Sequence, residues 1–179
     1  MKQAARVFAV LIAFVAMASS VFAEPYTENL IWGKVTDVSD GDTLTMQGDG
    51  KKMIRVQLAY IDAPDLDDNS GETQPLYRES THTLRELTLN KEVIVESLGT
   101  DQFGRVEGMI FIDQTNINVE MVRLGMAELY APVRFNPSKH KKEYVQQLLD
   151  AEELAKKAGT GVWGAEGYVS PYEFRRRHR

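Results

Sequence analysis

Between Leu30 and Ile112 the chain offers five runs of strand length, each closed by a turn signal, and this pattern limits its fold more than any other feature. Ile31 to Val38 alternates loosely, and Thr43-Leu44-Thr45-Met46 resumes after an Asp-Gly-Asp corner. Gly48-Asp49-Gly50 supplies a hairpin turn, because Gly and Asp tolerate positive φ. Met53 to Ile61 reads as one long strand, with Met53, Arg55, Gln57, Ala59 and Ile61 sharing a face by period two. Lys91 to Glu96 and Val106 to Ile112 complete the set. Strands in such close succession predict a small barrel or sandwich. Helical patterns interrupt and follow them. Thr73-Gln74-Pro75 opens one helix, whose inward stripe is Leu76, Ser80, Leu84 and Leu87. Asn118 caps a short one that runs through Leu124 and is closed by Gly125. Ser138 precedes the longest, with Tyr144, Leu148, Ala151 and Ala155 at helical spacing and Gly159 as its stop. The expected fold class is α+β, with a closed barrel.

The two ends of the chain read differently from its middle. Lys2 and Arg6 precede an apolar run from Val7 to Met17, and small residues follow up to Ala23. A positive start, a short apolar centre and a small-residue cut site predict a signal peptide over residues 1–23. The run is short for a membrane anchor. Export is the expectation, to the periplasm or the outside, with no anchor remaining after cleavage. Cleavage takes Lys+Arg from 21 to 19 against 26 Asp+Glu, leaving a net charge of about −7. Such a surface disfavours bulk coating of phosphate backbones, but not an enzyme that meets nucleic acid through a bound cation. With no Cys, the chain has no disulfide, thiolate metal site or Cys nucleophile. Residues 24–30 form a lead, 31–164 the domain, and 165–179 a basic tail expected to be solvated.

The most informative cluster is Ser39-Asp40-Gly41-Asp42-Thr43, followed by Ile61-Asp62-Ala63-Pro64-Asp65. Each group falls at a strand edge, where a turn can aim side chains at a common point. Asp42 and Asp62 can then share one hard cation, completed by carbonyl and water oxygens; oxygen-only ligation suits Ca²⁺ or Mg²⁺ rather than zinc. The plainer alternative is that Asp-Gly-Asp is only a turn and Asp-Ala-Pro only a strand terminator.

These blocks resemble the staphylococcal nuclease family, in which Asp-Gly-Asp-Thr is followed by a strand ending Ile-Asp-x-Pro-Glu. Asp101-Gln102-Phe103-Gly104-Arg105 is similar to the family's Asp-(Arg/Lys)-Tyr-Gly-Arg. The helix from Asn118 to Ala127 and the ending Ala155 to Gly164 also resemble family blocks, so the likeness runs in order from Gly33 to Gly164. The resemblance implies a five-stranded OB-type barrel with about three helices, and Ca²⁺-assisted phosphodiester hydrolysis. It places side-chain metal ligands on Asp42 and Asp62 and a carbonyl ligand on Ala63. It places the general base on Asp65 and one phosphate-clamping arginine on Arg105. The other clamping arginine falls on Gln57.

The departures bear on chemistry. Gln57 offers only a neutral amide where a guanidinium fork would meet the charge that builds on phosphorus. Arg55, two residues earlier on the same strand face, is the candidate substitute, although it lies about 7 Å further along. Asp65 keeps a carboxylate but shortens it by one methylene. Gln102 replaces a basic residue, and Phe103 lacks a phenol hydroxyl but can still stack on a base. Tyr130 is a further aromatic candidate for base contact. Two readings follow: an exported Ca²⁺-dependent nuclease acting on denatured or single-stranded DNA and on RNA, or a barrel that has lost catalysis and binds a protein or oligonucleotide.

Overall fold

The structure is a computed structural model, and it describes residues 29–67 and 70–178. The expected signal peptide and most of the lead lie outside the described residues. In chain order the elements are β1 (Leu30–Val38), β2 (Thr43–Gly48), β3 (Met53–Leu58), β4 (Ile61–Asp62), α1 (Tyr77–Thr88), β5 (Glu92–Thr100), β6 (Val106–Ile112), β7 (Thr115–Asn116), α2 (Ile117–Arg123), β8 (Glu128–Leu129), α3 (Ala131–Phe135), α4 (Lys142–Ala158) and α5 (Pro171–Arg177).

The sheet runs β3-β2-β1-β5-β6, and a parallel pairing of β3 with β6 closes it into a five-stranded barrel. The remaining neighbours are antiparallel. Closure removes the free sheet edges that would otherwise invite pairing with another chain. Alternate residues of the strands turn inward: Val35, Leu44, Met46, Val56, Leu58, Val93, Val95 and Ile110 are all buried. β1 and β5–β6 each carry a register shift, at Val35/Asp37 and Ser97/Gly99, as expected where a small barrel bends.

The long strand expected from Met53 to Ile61 is broken. β3 ends at Leu58, Tyr60 takes φ 68°, and β4 then pairs with β8. The tertiary bond from Tyr130 N–H to the Tyr60 carbonyl (2.9 Å) holds that corner. Ala59 and Ile61 are consequently buried, whereas Met53 and Arg55 on the outer face are exposed.

Helices α1 and α2 pack against β1 and β6 of the barrel. α1 starts later than the Thr73-Gln74-Pro75 signal implies, because Leu76 adopts φ 67° at its N-cap; Ser80 and Leu84 face inward as expected. α2 is capped by Asn116, whose side chain accepts from Val119 N–H, not by Asn118. Asn118 is instead fully buried: its Oδ1 accepts from Ile110 N–H (3.0 Å), and its Nδ2 donates to the carbonyls of Ala59 (2.9 Å) and Gly108 (3.1 Å). One amide thus ties α2 to the β3 corner and to β6. α4 buries Tyr144, Leu148, Ala151 and Ala155 and stops at Gly159, φ 62°. Gly125 (φ +67°) and Gly161 (φ +59°) meet back to back, and a Cβ on either would fall 2.1 Å from the other segment's backbone.

The basic tail is not a solvated extension. Ser170 caps α5, whose Pro171 and Phe174 are buried, so this segment docks through an apolar face that a run of arginines hides in the sequence.

Candidate active site

A cleft of about 510 Å³ opens at the end of the barrel where β2, β3 and β4 converge. Its wall includes Asp42, Gln57, Asp62, Ala63, Asp65, Gln102, Phe103, Arg105 and Tyr130, and also Arg175. Every residue anticipated for the site is there except Arg55, which is exposed and does not line the cleft. The reason is register. Gln57 stands opposite Thr43 at the cleft, whereas Arg55 stands opposite Thr45, two residues further from it. Arg55 therefore does not replace the arginine missing at Gln57.

Local chemistry explains how the carboxylates converge. Asp40 Oδ1 accepts from Asp42 N–H (3.0 Å), folding the Asp-Gly-Asp corner on itself. Gly41 is required by packing: a Cβ there would sit 2.0 Å from Ser80 Oγ and 2.7 Å from Ala63 Cβ. α1 thus passes directly under the corner. Ala63 N–H donates to Asp42 Oδ2 (3.1 Å), which joins the two sequence blocks across 21 residues. Thr43, almost fully buried, holds its hydroxyl 3.2 Å from Asp42 Oδ1 and 3.0 Å from the Gln57 amide oxygen, which share its one proton. Gln57 accordingly closes a neutral bond with Thr43 where a cation would face the cleft.

The electrostatics follow. Removal from solvent, with the like charges of Asp40 and Asp62, pushes the Asp42 carboxyl well above the usual carboxylate range. Asp62 is buried and also raised, first by burial, with the Arg175 guanidinium countering part of the effect. Asp101 is held low: burial opposes ionisation, but N–H bonds from Arg105 and Phe103 outweigh it. Asp101 Oδ1 takes the backbone N–H of Phe103 (2.8 Å) and Arg105 (2.9 Å), and Oδ2 takes Arg105 Nε (2.7 Å). The turn is completed by Gly104 at φ +77°. This loop fixes the Arg105 guanidinium against the cleft, where one NH₂ lies 3.4 Å from Thr43 Oγ1. Phe103 projects from the same loop, 71% exposed, beside the guanidinium.

Sequence reasoning missed Arg175. Its two terminal nitrogens grip both Asp62 oxygens (3.0 and 2.8 Å), and one also reaches Asp65 Oδ2 (3.0 Å). Asp65 Oδ1 is occupied by Leu66 N–H (2.8 Å). The signal that could have revealed Arg175 is the cap pattern Ser170-Pro171 followed by Phe174, which marks a packed helix.

Two carboxylates and the main chain of Ala63 offer hard oxygen donors, the chemistry that suits Ca²⁺ or Mg²⁺. Among the described residues no three acidic or imidazole side chains converge on one point. A cation here would draw on Asp42, Asp62, a carbonyl and solvent, and the like charges of Asp40 and Asp62 beside Asp42 fit it.

The family model for staphylococcal nuclease homologues matches residues 55–165. An uncharacterized endonuclease of Haemophilus influenzae is 34% identical over 146 residues, covering 82% of this chain and 74% of the relative. An uncharacterized endonuclease of Escherichia coli is 30% identical over 165 residues, covering 92% and 97%. A probable endonuclease of Komagataella phaffii is 30% identical over 177 residues, covering 82% and 75%. With the closed barrel and the paired acidic corners at one cleft, these matches establish that the chain belongs to the staphylococcal nuclease family.

Proposed function

We propose that this chain is an exported, Ca²⁺-dependent nuclease that hydrolyses phosphodiester bonds of single-stranded or denatured DNA and RNA. The observation that carries the reading is the meeting of Asp42, Asp62 and Arg105 in one cleft, with Ala63 N–H bonded to Asp42. Asp42, Asp62 and the Ala63 carbonyl would hold the ion. When bound, Ca²⁺ would polarise a phosphoryl oxygen and neutralise charge developing on phosphorus.

The protein's own groups supply the rest. Arg105 keeps Nε on Asp101 and leaves its terminal nitrogens toward the cleft, so the fork is preorganised for phosphate oxygens. Asp65 orients the attacking water and takes its proton as the new P–O bond forms, while the ester P–O bond to the leaving sugar oxygen breaks and that oxygen is protonated from solvent. Phe103 and Tyr130, both exposed at the cleft, provide faces on which unpaired bases stack. Stacking requires splayed bases, which is why single-stranded substrate fits this rim better than a duplex.

A second reading, a binding module without catalysis, is favoured by one observation: Arg175 occupies both oxygens of Asp62 and one of Asp65. Cleavage of denatured DNA, duplex DNA and RNA by the purified chain separates the two, with Asp42→Ala as the control for contaminating nuclease. Cleavage that vanishes in the variant supports the enzyme. A folded chain that binds oligonucleotide without cutting it supports the module.

A further inference from the structure

Arg175 is held in place by the fold rather than by chance contact of a tail. Buried Gln74 accepts from Asp65 N–H (2.8 Å) and donates to the Val169 carbonyl (2.7 Å), tying the loop behind the site to the segment entering α5. Ser170 Oγ accepts from Glu173 N–H (3.2 Å), and Pro171 and Phe174 are buried. Two guanidiniums line the cleft among the described residues, Arg105 and Arg175. Arg105 is fixed by Asp101, while among the described residues the Arg175 side chain hydrogen-bonds Asp62 and Asp65.

Two consequences meet at this residue. A divalent ion and a bidentate guanidinium compete for the same Asp62 oxygens. Meanwhile Gln57, bonded to Thr43, leaves the cleft one guanidinium short for a phosphate. The same planar fork that fits a carboxylate fits a phosphate edge.

The geometry points to Arg175 as the cleft's second phosphate-binding cation, stored on Asp62 and Asp65 and transferred to substrate phosphate when a divalent cation takes Asp62. The inference rests on the metal-dependent reading above and adds to it a residue outside the matched span 55–165. It requires that Arg175 oppose metal binding and favour phosphate binding, two effects of opposite sign that a merely structural role would not produce.

Isothermal titration of the full chain with Ca²⁺, and then with thymidine 3′,5′-bisphosphate at saturating Ca²⁺, tests it. Arg175→Gln is expected to bind Ca²⁺ roughly tenfold more tightly and the bisphosphate roughly tenfold more weakly, the scale of one charge-assisted hydrogen-bonded contact. Arg175→Lys, which keeps charge and length, should recover part of both shifts and serves if the Gln variant folds poorly. Arg176→Gln, whose side chain pairs with Glu173 outside the cleft, should match wild type in both. Shifts of the same sign, or either affinity unchanged in Arg175→Gln, would overturn the inference. Failure of wild type and both Arg175 variants to bind Ca²⁺ would instead remove the metal-dependent reading on which it stands.

Discussion

The buried carboxylate of Glu152, on α4, should be among the most costly side chains to alter outside the cleft. Its residue is 2% exposed, yet it carries a full set of partners. Oε1 accepts from Leu129 N–H (2.9 Å) and Arg134 (2.7 Å), and Oε2 from Arg134 (2.8 Å) and Lys156 (2.7 Å). It thereby fastens β8, the strand partner of the β4 segment bearing Asp62. Glu152→Gln preserves shape but sets an NH₂ against two cationic donors. Losing one charge-assisted bond to Arg134 costs about 2 kcal/mol, and weakening the other about 1 kcal/mol. Lys156, whose side chain is 42% exposed, adds less than about 1 kcal/mol. A total near 3 kcal/mol corresponds to a fall in Tm of roughly 6–12 °C for a domain of this size. Thermal unfolding followed by circular dichroism measures it, and Arg134→Met in both backgrounds isolates the pair. Arg134→Met should cost markedly less in the Glu152→Gln chain than in wild type. A Glu152→Gln midpoint within about 2 °C of wild type, or strictly additive effects, would refute the reasoning.

Burial, with the nearby charges of Asp62 and Glu152, raises Glu128 from 4.5 to about 7. The folded chain then binds a proton that the unfolded chain has released, so stability should fall as pH rises from about 4.5 to 7 and level off above. The contribution is about 3 kcal/mol, measured by urea unfolding in chelator, and Glu128→Gln should flatten that slope. Asn118→Ala should cost roughly 3 kcal/mol, because it strips partners from Ile110 N–H and the Ala59 carbonyl, and denaturant midpoints report it. Phe103→Ala should leave Tm unchanged, since the ring is 71% exposed, yet raise KM for denatured DNA about tenfold through lost stacking; an unchanged KM would place the ring outside the substrate path.

How far the sequence exposed this arrangement depended on the range of the forces involved. The strand runs, the inward stripe of α4 and the Ser80–Leu84 part of that of α1 were legible, because periodicity reports which face is buried. So was the pairing of Asp42 with Asp62, because both lie in turn chemistry at strand edges. The break at Tyr60 was not, since its positive φ is stabilised by a bond to Tyr130, far along the chain. Asn118 looked like a cap because local rules favour Asn there, whereas three tertiary bonds claim its amide. Arg55 was a fair substitute for the missing arginine by strand parity, but register with β2 places it beyond the cleft. Arg175 was hidden for a similar reason. A run of arginines reads as a solvated face, and its contact with Asp62 spans 113 residues.

The most direct test of the account is the initial rate of cleavage of denatured DNA as free Ca²⁺ is titrated from strong chelation to saturation, for wild type and Asp42→Asn together. The account predicts a saturable rise with Ca²⁺ in wild type and no cleavage above background in the variant. Cleavage that persists under chelation, or that survives in Asp42→Asn with the same Ca²⁺ dependence, would contradict it.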